Sequence, residues 1–366
     1  MPSTEGRRSC QISYLREEFR SRTRREDVKT ATRIAIGLVI TACLFGLLIF
    51  LVGIEEFVDA ATSIKPQLAA AILSTVAVRR LFHGMILYAA FARFGVEITY
   101  LQAVFLSASV SFMKAVTPFA QLSGEPLAAG IITQSLNETY EASLATISMV
   151  EAIKVIPSLS VFAVGSIYFT IFPTRIPPSI TPMFALFGLL LLLIPIFGVV
   201  LWKYREPAES FATAVFVTVG RGVSVLPRVP RLDEESIRER VRGFSSRFFD
   251  LLSHRRLVLE VTALTFGTLF LTVLVFWLAL QAVGVVAPIP IVLFAIPFSK
   301  LASVIPSPGG VGGTEGVLVI FITTLTANSA ESVTTAVIIS SGASYWTTAI
   351  VGGLGIALVL PLLSDS

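Results

Sequence analysis

Cysteine and histidine are scarce in this chain of 366 residues. It has 2 cysteines, Cys10 and Cys43, and 2 histidines, His83 and His254. Two cysteines exclude a disulfide framework and a CxxC metal motif, and two histidines argue against a histidine-rich zinc or di-iron site. We therefore expect no metal and no other cofactor.

Charge is equally scarce, because only 14% of the residues are charged and 54% are hydrophobic. Soluble proteins carry about 25% charged residues, and two soluble domains could not bury this much apolar surface. The chain also lacks the G-x-x-x-x-G-K-[ST] phosphate loop, which argues against an ATP-driven pump acting alone. Composition therefore predicts a multi-pass membrane protein.

The charge that is present lies mostly in two segments. Of the 28 basic residues, nine fall in 1–33 and eleven in 203–256. Long apolar runs separate them, unlike the continuous basic face of a nucleic-acid-binding domain, so we expect no nucleic-acid partner. Cytoplasmic loops collect Lys and Arg, so we expect both segments on the cytoplasmic side of the cell membrane. Segment 1–33 is too long and too charged for a signal peptide, so 34–54 is predicted to be a retained span.

The predicted fold class is all-α, with about eight transmembrane helices and two re-entrant half-helices in two pseudo-equivalent repeats. A crossing helix needs about 20 apolar residues. The half-helices are the shorter apolar stretches 119–135 and 311–327, which follow Pro/Gly-rich breaks. The eight candidate spans are 34–53, 67–91, 100–117, 142–171, 181–202, 257–281, 288–305 and 332–361.

Four parts of the chain follow from this pattern. Segment 203–256 has apolar residues at helical spacing (Ile237, Val241, Phe244, Phe248) among its arginines, which is typical of amphipathic helices at the membrane surface. A solvated connecting loop is the alternative. The parts are a basic cytoplasmic segment 1–33, a first membrane half 34–202 with a break near 118–135, a basic amphipathic surface segment 203–256, and a second membrane half 257–366 with a break near 306–327.

Orientation raises a conflict within this prediction. Five predicted spans lie between the two basic segments, and five crossings would put them on opposite sides of the membrane. The elements that we expect to be miscounted are 142–171, which Pro157 interrupts, and the half-helix after Pro118.

An internal repeat could resolve this conflict over the number of membrane crossings. Pro118 precedes Glu125 by seven residues, and Pro308 precedes Glu315 by seven. Both glutamates lead into an apolar half-helix, a polar cluster and a span of about 30 residues. Broken helices in corresponding halves of a transporter point to its central site, and inverted copies would remove the parity conflict.

Ionisable residues inside spans are the candidate functional residues, since each costs roughly 2.5–3.5 kcal/mol on insertion scales. Glu151 and Lys154, three apart on one helix, are predicted to form a coupled ion pair. We expect no catalytic and no metal-binding residue. The predicted substrate-binding residues are Arg79, Arg80, Lys114, Gln121, Glu125, Lys300, Gly310, Gly313 and Glu315.

The basic candidates each have a functional and a structural interpretation. Arg79 and Arg80, with His83 alongside, could bind a phosphate head group, because arginine forks match phosphate oxygens, or could snorkel to an interface. Lys114 and Lys300 could each face a lipid phosphate, or form a buried pair with the glutamate of their own break that only stabilises the fold.

The acidic and glycine candidates also have two interpretations. Glu125, which precedes Pro126, and Glu315 could take up protons or position donors in the site. Each could instead complement the start of a helix. Gly310 and Gly313 could leave backbone N–H groups for an anion, or only permit close helix packing.

Three motifs carry a resemblance to a known family. They are the run Thr117 to Pro126 (TPFAQLSGEP), the pair Tyr140-Glu141, and the run Pro306 to Glu315 (PSPGGVGGTE). With these the chain resembles the flippase-like family, also called the lysylphosphatidylglycerol synthase transmembrane region, from about residue 34 to 361. The resemblance implies a polytopic membrane protein that moves polar lipids between leaflets. Relatives often carry an arginine in the span after each half-helix, where this chain has Glu151 to Lys154 and Ser341-Gly342.

The leading functional prediction is a flippase-like protein, not an enzyme, that translocates a phosphate-bearing lipid through a polar groove formed where the two breaks meet. Its expected partners are membrane lipids with anionic head groups. The alternative is a membrane scaffold or partner of a lipid-linked glycosyltransferase, in which 203–256 is the functional surface and Arg238 and Arg242 contact the partner enzyme.

Overall fold

The computed structural model describes residues 64–93, 95–116, 120–136, 138–171, 234–300, 312–326 and 328–355, together with residue 62 and scattered positions between 188 and 214. The predicted span 34–53 and most of the predicted span 181–202 lie outside these residues. Within the described ranges every regular element is an α-helix. The helices are α1 (Pro66–Ala92), α2 (Tyr100–Val116), α3 (Ala120–Leu136), α4 (Tyr140–Ile171), α5 (Glu234–Ser253), α6 (Arg255–Ala282), α7 (Ile289–Ser299), α8 (Gly313–Leu325) and α9 (Ala330–Leu354).

Four of these helices, α1, α4, α6 and α9, are long and apolar enough to cross a membrane. They confirm four of the predicted spans and the all-α, multi-pass class. Of the predicted span 288–305, the structure describes α7, whose 11 residues are about 16 Å long at 1.5 Å per residue. That is about half of the bilayer core. Residues 301–311, which would extend it, lie outside the described part of the chain.

The helix ends follow local sequence signals. Pro66 stands in the first turn of α1, where a missing N–H costs no hydrogen bond, and the Ser329 hydroxyl caps α9 by accepting from Ser332 N at 3.2 Å. Beyond the ends of α1 and α6, Gly95 (φ 76°) and Gly284 (φ 75°) adopt the left-handed conformation that favours glycine. The two glycines are 189 residues apart (284 − 95).

Two pairs of helices, α1 with α6 and α2 with α9, pack antiparallel. In the α1–α6 pair, Arg79 contacts Thr272 and Phe82 contacts Gly267, so the two helices run in opposite directions. In the α2–α9 pair, Gly352 lies against Ala108 and Phe112, and Gly355 lies against Phe105 and Ser109. A Cβ at Gly352 would stand 2.7 Å from Phe112 Cβ, so this pair depends on glycine for its close approach.

The core consists of two buried apolar clusters, one at each end of the molecule. One end carries α5 and is called the α5 end here. Helices α1, α2, α3 and α4 contribute to its cluster. Members of the cluster include Ile86, Phe91, Leu106, Ile132, Met149, Leu251 and Val261. Members of the cluster at the opposite end include Ile72, Val76, Phe276, Val292, Phe294, Phe321 and Val337.

The short helices form two hairpins that enter from different ends. Ile98, just before α2, and Ile132, near the end of α3, both belong to the α5-end cluster. Val292, near the start of α7, and Phe321, near the end of α8, both belong to the opposite cluster. The ends of α2 and α7 and the starts of α3 and α8 therefore lie toward the middle of the molecule.

Helix α5 is amphipathic, as its spacing predicts, and packs on α4. Ile237 and Leu251 are buried against the bundle, while Arg240 NH1 pairs with Glu141 Oε1 at 2.9 Å. Because Glu141 lies in the first turn of α4, α4 starts at the α5 end and runs toward the opposite end, where its Phe162 joins the other cluster.

Candidate functional site

Two polar cavities lie between the apolar clusters. The first cavity, of about 400 Å³, is lined by α1, α2, α3 and α4, and the second, of about 340 Å³, by α1, α2, α6, α7, α8 and α9. Ser111 and Ala115 of α2 line both, so one helix separates them. Each has the size of a small-molecule pocket, for which about 300–1,000 Å³ is usual.

The first cavity contains an alternating chain of charges. Lys114 Nζ is 3.4 Å from Glu125 Oε1 and 3.7 Å from Glu151 Oε1. Lys154 Nζ is 2.9 Å from the same Glu151 oxygen. Glu151 and Lys154 therefore lie at ion-pair distance in the structure, and Lys114 joins them to Glu125 across three helices.

Local sequence explains how Lys114 reaches these partners. It lies in the last turn of α2, where a cation is favoured by the helix dipole. Gly124 of α3 faces its side chain, and a Cβ there would stand 3.2 Å from Lys114 Cε. A larger residue at 124 would therefore crowd the lysine stem that carries the ammonium to Glu125.

Of the two interpretations of Glu125, the helix-start alternative does not fit its position. Helix α3 begins at Ala120 and contains Pro126 in its interior, so Glu125 stands in the second turn and pairs with Lys114. A proline this close to a helix start removes only one backbone hydrogen bond, to the carbonyl four residues earlier, and the helix accommodates it.

The second cavity contains two arginines bonded to hydroxyl groups. Arg79 NH1 donates to Thr272 Oγ1 of α6 at 3.3 Å. Arg80 NH1 donates to Ser111 Oγ of α2 at 3.2 Å, and its NH2 donates to Thr348 Oγ1 of α9. Arg79 is only 9% exposed. The arginines therefore turn inward and do not snorkel.

Glu315 serves the start of α8, one of its two predicted interpretations. Its Oε2 accepts from Gly312 N and from Thr314 Oγ1, each at 2.7 Å, and the residue is 7% exposed. Gly312 has φ 101°, a conformation that favours glycine. Glu315 and Lys300, which caps the end of α7, both line the second cavity.

The two cavities differ in net charge. The first has two lysines and two glutamates, Lys114, Lys154, Glu125 and Glu151, which sum to zero. The second has Arg79, Arg80 and Lys300 against Glu315, which gives 3 − 1 = +2 among its described lining residues. Hydroxyl groups make up most of its remaining polar lining.

Comparison with known families gives one assignment. Residues 34–352 match the family described as lysylphosphatidylglycerol synthase TM region. The chain belongs to this family. Comparison with curated proteins and comparison with solved structures each gave no match.

Both cavities lie within the lysylphosphatidylglycerol synthase TM region. The residues that line the two cavities all lie between Arg79 and Thr348, inside the matched range. The resemblance predicted from the two proline-containing motifs is therefore confirmed over the part of the chain that contains the charged residues.

In this member of the family the predicted residues do not form one set. Lys114 and Glu125 line the first cavity, whereas Arg79, Arg80, Lys300 and Glu315 line the second. The polar groove expected where the two breaks meet stays a prediction, and the described residues line two cavities that share Ser111 and Ala115 of α2. Gly313 is the first residue of α8. Gly310 and the Gln121 side chain lie outside the described residues.

His83 is also separated from the arginines that precede it. Its Nδ1 lies 2.9 Å from the Arg79 carbonyl oxygen, one turn earlier on α1. Its ring lines the first cavity, while both guanidinium groups line the second. Helical spacing places the three residues on neighbouring positions, but different helices contact the two sides of α1.

Sequence reasoning missed the hydroxyl partners of the arginines. A signal for them exists, because each belongs to a pair of hydroxyl residues four positions apart in an apolar run, which lie on one helix face. The pairs are Ser107 and Ser111, Thr268 and Thr272, and Ser344 and Thr348.

Proposed function

We propose that the chain carries a phosphate-bearing lipid between the leaflets of the cell membrane, with its head group passing from one cavity to the other. The observation that carries this proposal is the pair of polar cavities within apolar helices, separated by Ser111 and Ala115 of a single helix. Membership in a family of lipid-related membrane regions supports it.

The position of each cavity supports access from different leaflets. The first is bordered by Phe91 and Ile132 of the α5-end cluster. The second is bordered by Phe276 and Leu318 of the opposite cluster. A head group that has entered one cavity therefore has to move past only Ser111 and Ala115 of α2 to reach the other cavity.

An inverted repeat accounts for this arrangement. Copy one is α1 to α4 and copy two is α6 to α9. Three of the four matching pairs start 189 or 190 residues apart, as for Tyr100 and Ile289 (289 − 100) and for Tyr140 and Ala330 (330 − 140), and the starts of α3 and α8 are 193 apart (313 − 120). Helices α1 and α6 are antiparallel, as inverted copies require. In this proposal α2–α3 and α7–α8 are re-entrant hairpins from opposite sides, the usual construction of a transporter's central site.

This topology removes the parity conflict. If both hairpins return to the side from which they enter, the crossings between 1–33 and the α5 segment are 34–53, α1, α4 and 181–202. Four crossings put both basic segments on one side, which the positive-inside rule makes cytoplasmic. The first cavity then faces the cytoplasm.

The proposed step is movement without bond making. Lysine and arginine nitrogens hold the phosphate oxygens, and Glu151 and Glu125 receive the lysines again when the phosphate leaves. Lys114, which lies within 3.7 Å of both carboxylates, would exchange one partner at a time.

A proteoliposome assay tests this function. Fluorescent phospholipid in the inner leaflet is followed by dithionite quenching of whatever reaches the outer leaflet. We expect Glu125→Ala, Glu315→Ala and Arg80→Gln each to slow the transfer about tenfold, a loss of about 1.4 kcal/mol of binding. Unchanged transfer in folded variants contradicts the mechanism, and Glu141→Gln on the surface is the matched control.

A second candidate, a scaffold for a membrane enzyme, is favoured by the exposed arginines of α5. The Arg238 side chain is 70% exposed, and Arg242 is exposed beside it. If this surface holds a partner enzyme, Arg238→Glu with Arg242→Glu releases a co-purifying protein and leaves lipid transfer unchanged. Retention of every co-purifying protein argues against the scaffold.

A further inference from the structure

The guanidinium group of Arg80 joins three helices. Arg80 belongs to α1, its NH1 donates to Ser111 Oγ of α2 at 3.2 Å, and its NH2 donates to Thr348 Oγ1 of α9. Ser111 is one of the residues of α2 that line both cavities. One of the side chains that hold the phosphate in the proposed function is therefore also bonded to the helix that separates the cavities.

Both hydroxyl partners are neutral acceptors that Arg80 can leave at a small cost. A hydroxyl group has one proton to donate. Ser111 Oγ donates its proton to Ser107 O at 2.8 Å. Thr348 Oγ1 donates its proton to Ser344 O at 2.6 Å. These two bonds remain when the guanidinium group moves away, so neither hydroxyl is left with an unused donor.

The two hydroxyl groups do not use all the donors of Arg80. A guanidinium group has five N–H donors, and the buried Nε of Arg80 has no hydrogen-bond partner within the described ranges of the chain. Bonds from a guanidinium group to phosphate are charge-assisted and frequently form as two parallel N–H···O contacts. A phosphate beside Arg80 therefore competes well with two neutral hydroxyl oxygens, because it is a stronger acceptor and has more oxygens to offer.

The end of α2 is held by polar contacts on two sides. On the side of the second cavity Arg80 bonds to Ser111, and on the side of the first cavity Lys114 contacts two glutamates. The earlier turns of α2 are packed differently, since residues 105–109 lie against two glycines of α9. We therefore expect loss of the Arg80 contact to loosen the last turns of α2 and to leave its earlier turns in place.

We propose that Ser111 and Thr348 are placeholders for phosphate oxygens. They hold the Arg80 guanidinium group in the empty protein, and the phosphate of a lipid head group displaces them. The displacement binds the phosphate to Arg80, and it also releases α2 from α1 at Ser111, where the head group has to pass. The inference rests on the proposed function, because it names the residues that control passage between the two cavities.

Binding is measured on purified full-length protein in detergent, which is titrated with short-chain phosphatidic acid while the thermal unfolding midpoint is followed. Ser111→Ala removes a bond that the ligand otherwise has to break. We therefore expect half-saturation at a concentration about fivefold lower than in the unsubstituted protein, the equivalent of one hydrogen bond. Thr348→Val, which keeps the shape of the side chain, should tighten binding by a similar factor.

The control for these variants is Ser160→Ala on α4. The Ser160 hydroxyl donates to Ile156 O of its own helix, and Ser160 is not among the residues that line the two cavities. Its removal should leave half-saturation and lipid transfer unchanged.

Lipid transfer distinguishes the two hydroxyl groups, because Ser111 belongs to the helix that separates the cavities and Thr348 does not. The measurement is the proteoliposome assay with saturating fluorescent phosphatidic acid. Ser111→Ala should raise the rate about threefold, since part of the energy of the broken bond no longer adds to the barrier. Thr348→Val should raise it less. Arg80→Gln should lower the rate, so the variants of the two bonded partners Arg80 and Ser111 change it in opposite directions.

Three binding outcomes overturn the inference. They are weaker binding of phosphatidic acid by Ser111→Ala, which would make that hydroxyl a phosphate ligand, unchanged binding in both hydroxyl variants, and half-saturation by inorganic phosphate at the same concentration as by phosphatidic acid, which would make free phosphate the ligand. If binding tightens as expected but no lipid crosses in proteoliposomes, the transport function fails and the placeholder role stands. If lipid crosses but Ser111→Ala transfers it no faster than the unsubstituted protein, the control of passage fails and the transport function stands.

Discussion

In the proposed inverted repeat the two cavities occupy equivalent places, but their lining residues are charged in different ways. Each is formed by a hairpin of short helices and the long helix that follows it. Glu151 of α4 and Ser341 of α9 correspond at an offset of 190 residues (341 − 151), as do Lys154 and Ser344. The first cavity has charges at these positions, and the second has hydroxyl groups.

This difference indicates two ways of keeping charge inside a membrane protein. The first cavity provides its own counter-charges, so its lysines are compensated with no ligand bound. In the second cavity Arg79 and Arg80 bond to neutral hydroxyl groups, so a phosphate that enters would supply the negative charge that faces them. We infer that the first cavity contributes to stability in the empty state, and that the second contributes most when it is occupied.

Removal of the central acid of the first cavity should have the largest effect on stability. Glu151→Gln leaves Lys114 and Lys154 facing each other without the carboxylate that both contact. Breaking a fully buried pair costs about 3–5 kcal/mol. The Lys114 and Glu151 side chains are 24% and 38% exposed, so the cost is smaller here. We expect the free energy of unfolding to fall by about 2 kcal/mol, measured by SDS-induced unfolding in detergent micelles.

A second substitution controls for lost packing at this position. In the Glu151→Gln background, Lys154→Gln removes the repulsion between the lysines and should restore part of the lost stability. A double variant as unstable as the sum of the two single variants would show that charge balance does not govern this cavity.

A charge introduced into the second cavity should make it resemble the first. Ser341→Glu places a carboxylate at the position equivalent to Glu151, among Arg79, Arg80 and Lys300. We expect the empty protein to become more stable by about 1 kcal/mol and phosphatidic acid to bind about tenfold more weakly, because the carboxylate competes with the phosphate. Unfolding and ligand titration measure the two effects.

The control for that substitution is Ser341→Gln, which has nearly the same size and no charge. It should leave the stability of the empty protein lower or unchanged. If glutamate and glutamine at this position have the same effect on binding, size and not charge is responsible, and the charge of Arg79 and Arg80 does not determine ligand affinity.

Most of the fold could be predicted from the sequence, because hydropathy and helix length decide it. The runs 67–91, 142–171, 257–281 and 332–361 are apolar and long, and the corresponding helices are present. The predicted span 288–305 is a different case, because the structure describes α7 but residues 301–305 lie outside its described part.

The sequence identified the candidate site residues, because charge within apolar runs is rare. It did not show which of them lie together. Arg80 and His83 lie three residues apart on one helix. Tertiary packing alone places Arg80 against α2 and α9 and His83 in the lining of the first cavity. The direction of α1 relative to α6 had the same limitation. Contacts such as Arg79 with Thr272 and Phe82 with Gly267 fix the direction of α1 relative to α6, and no local pattern encodes them.

A smaller effect is expected when a cation is removed from the second cavity of the empty protein. Arg80→Gln loses hydrogen bonds to Ser111 and Thr348, but those hydroxyls keep their own bonds to backbone carbonyls, and an uncompensated charge disappears. We expect the stability of the empty protein to change by less than about 1 kcal/mol. A loss as large as that of Glu151→Gln, in the same unfolding measurement, would contradict the distinction between the two cavities.

The smallest effect is expected outside both cavities, at the Arg240–Glu141 pair that joins α5 to α4. The pair is short, at 2.9 Å, but the Arg240 side chain is 60% exposed, so water and salt screen it. Glu141→Gln should therefore lower stability by about 0.5 kcal/mol or less, and the difference should vanish at high salt. Glu151→Gln should keep most of its effect at the same salt concentration, because salt screens partly buried pairs much less. If both variants lose their effect together, the charges of the first cavity behave as surface charges, and its ion pairs cannot be the source of the stability assigned to them.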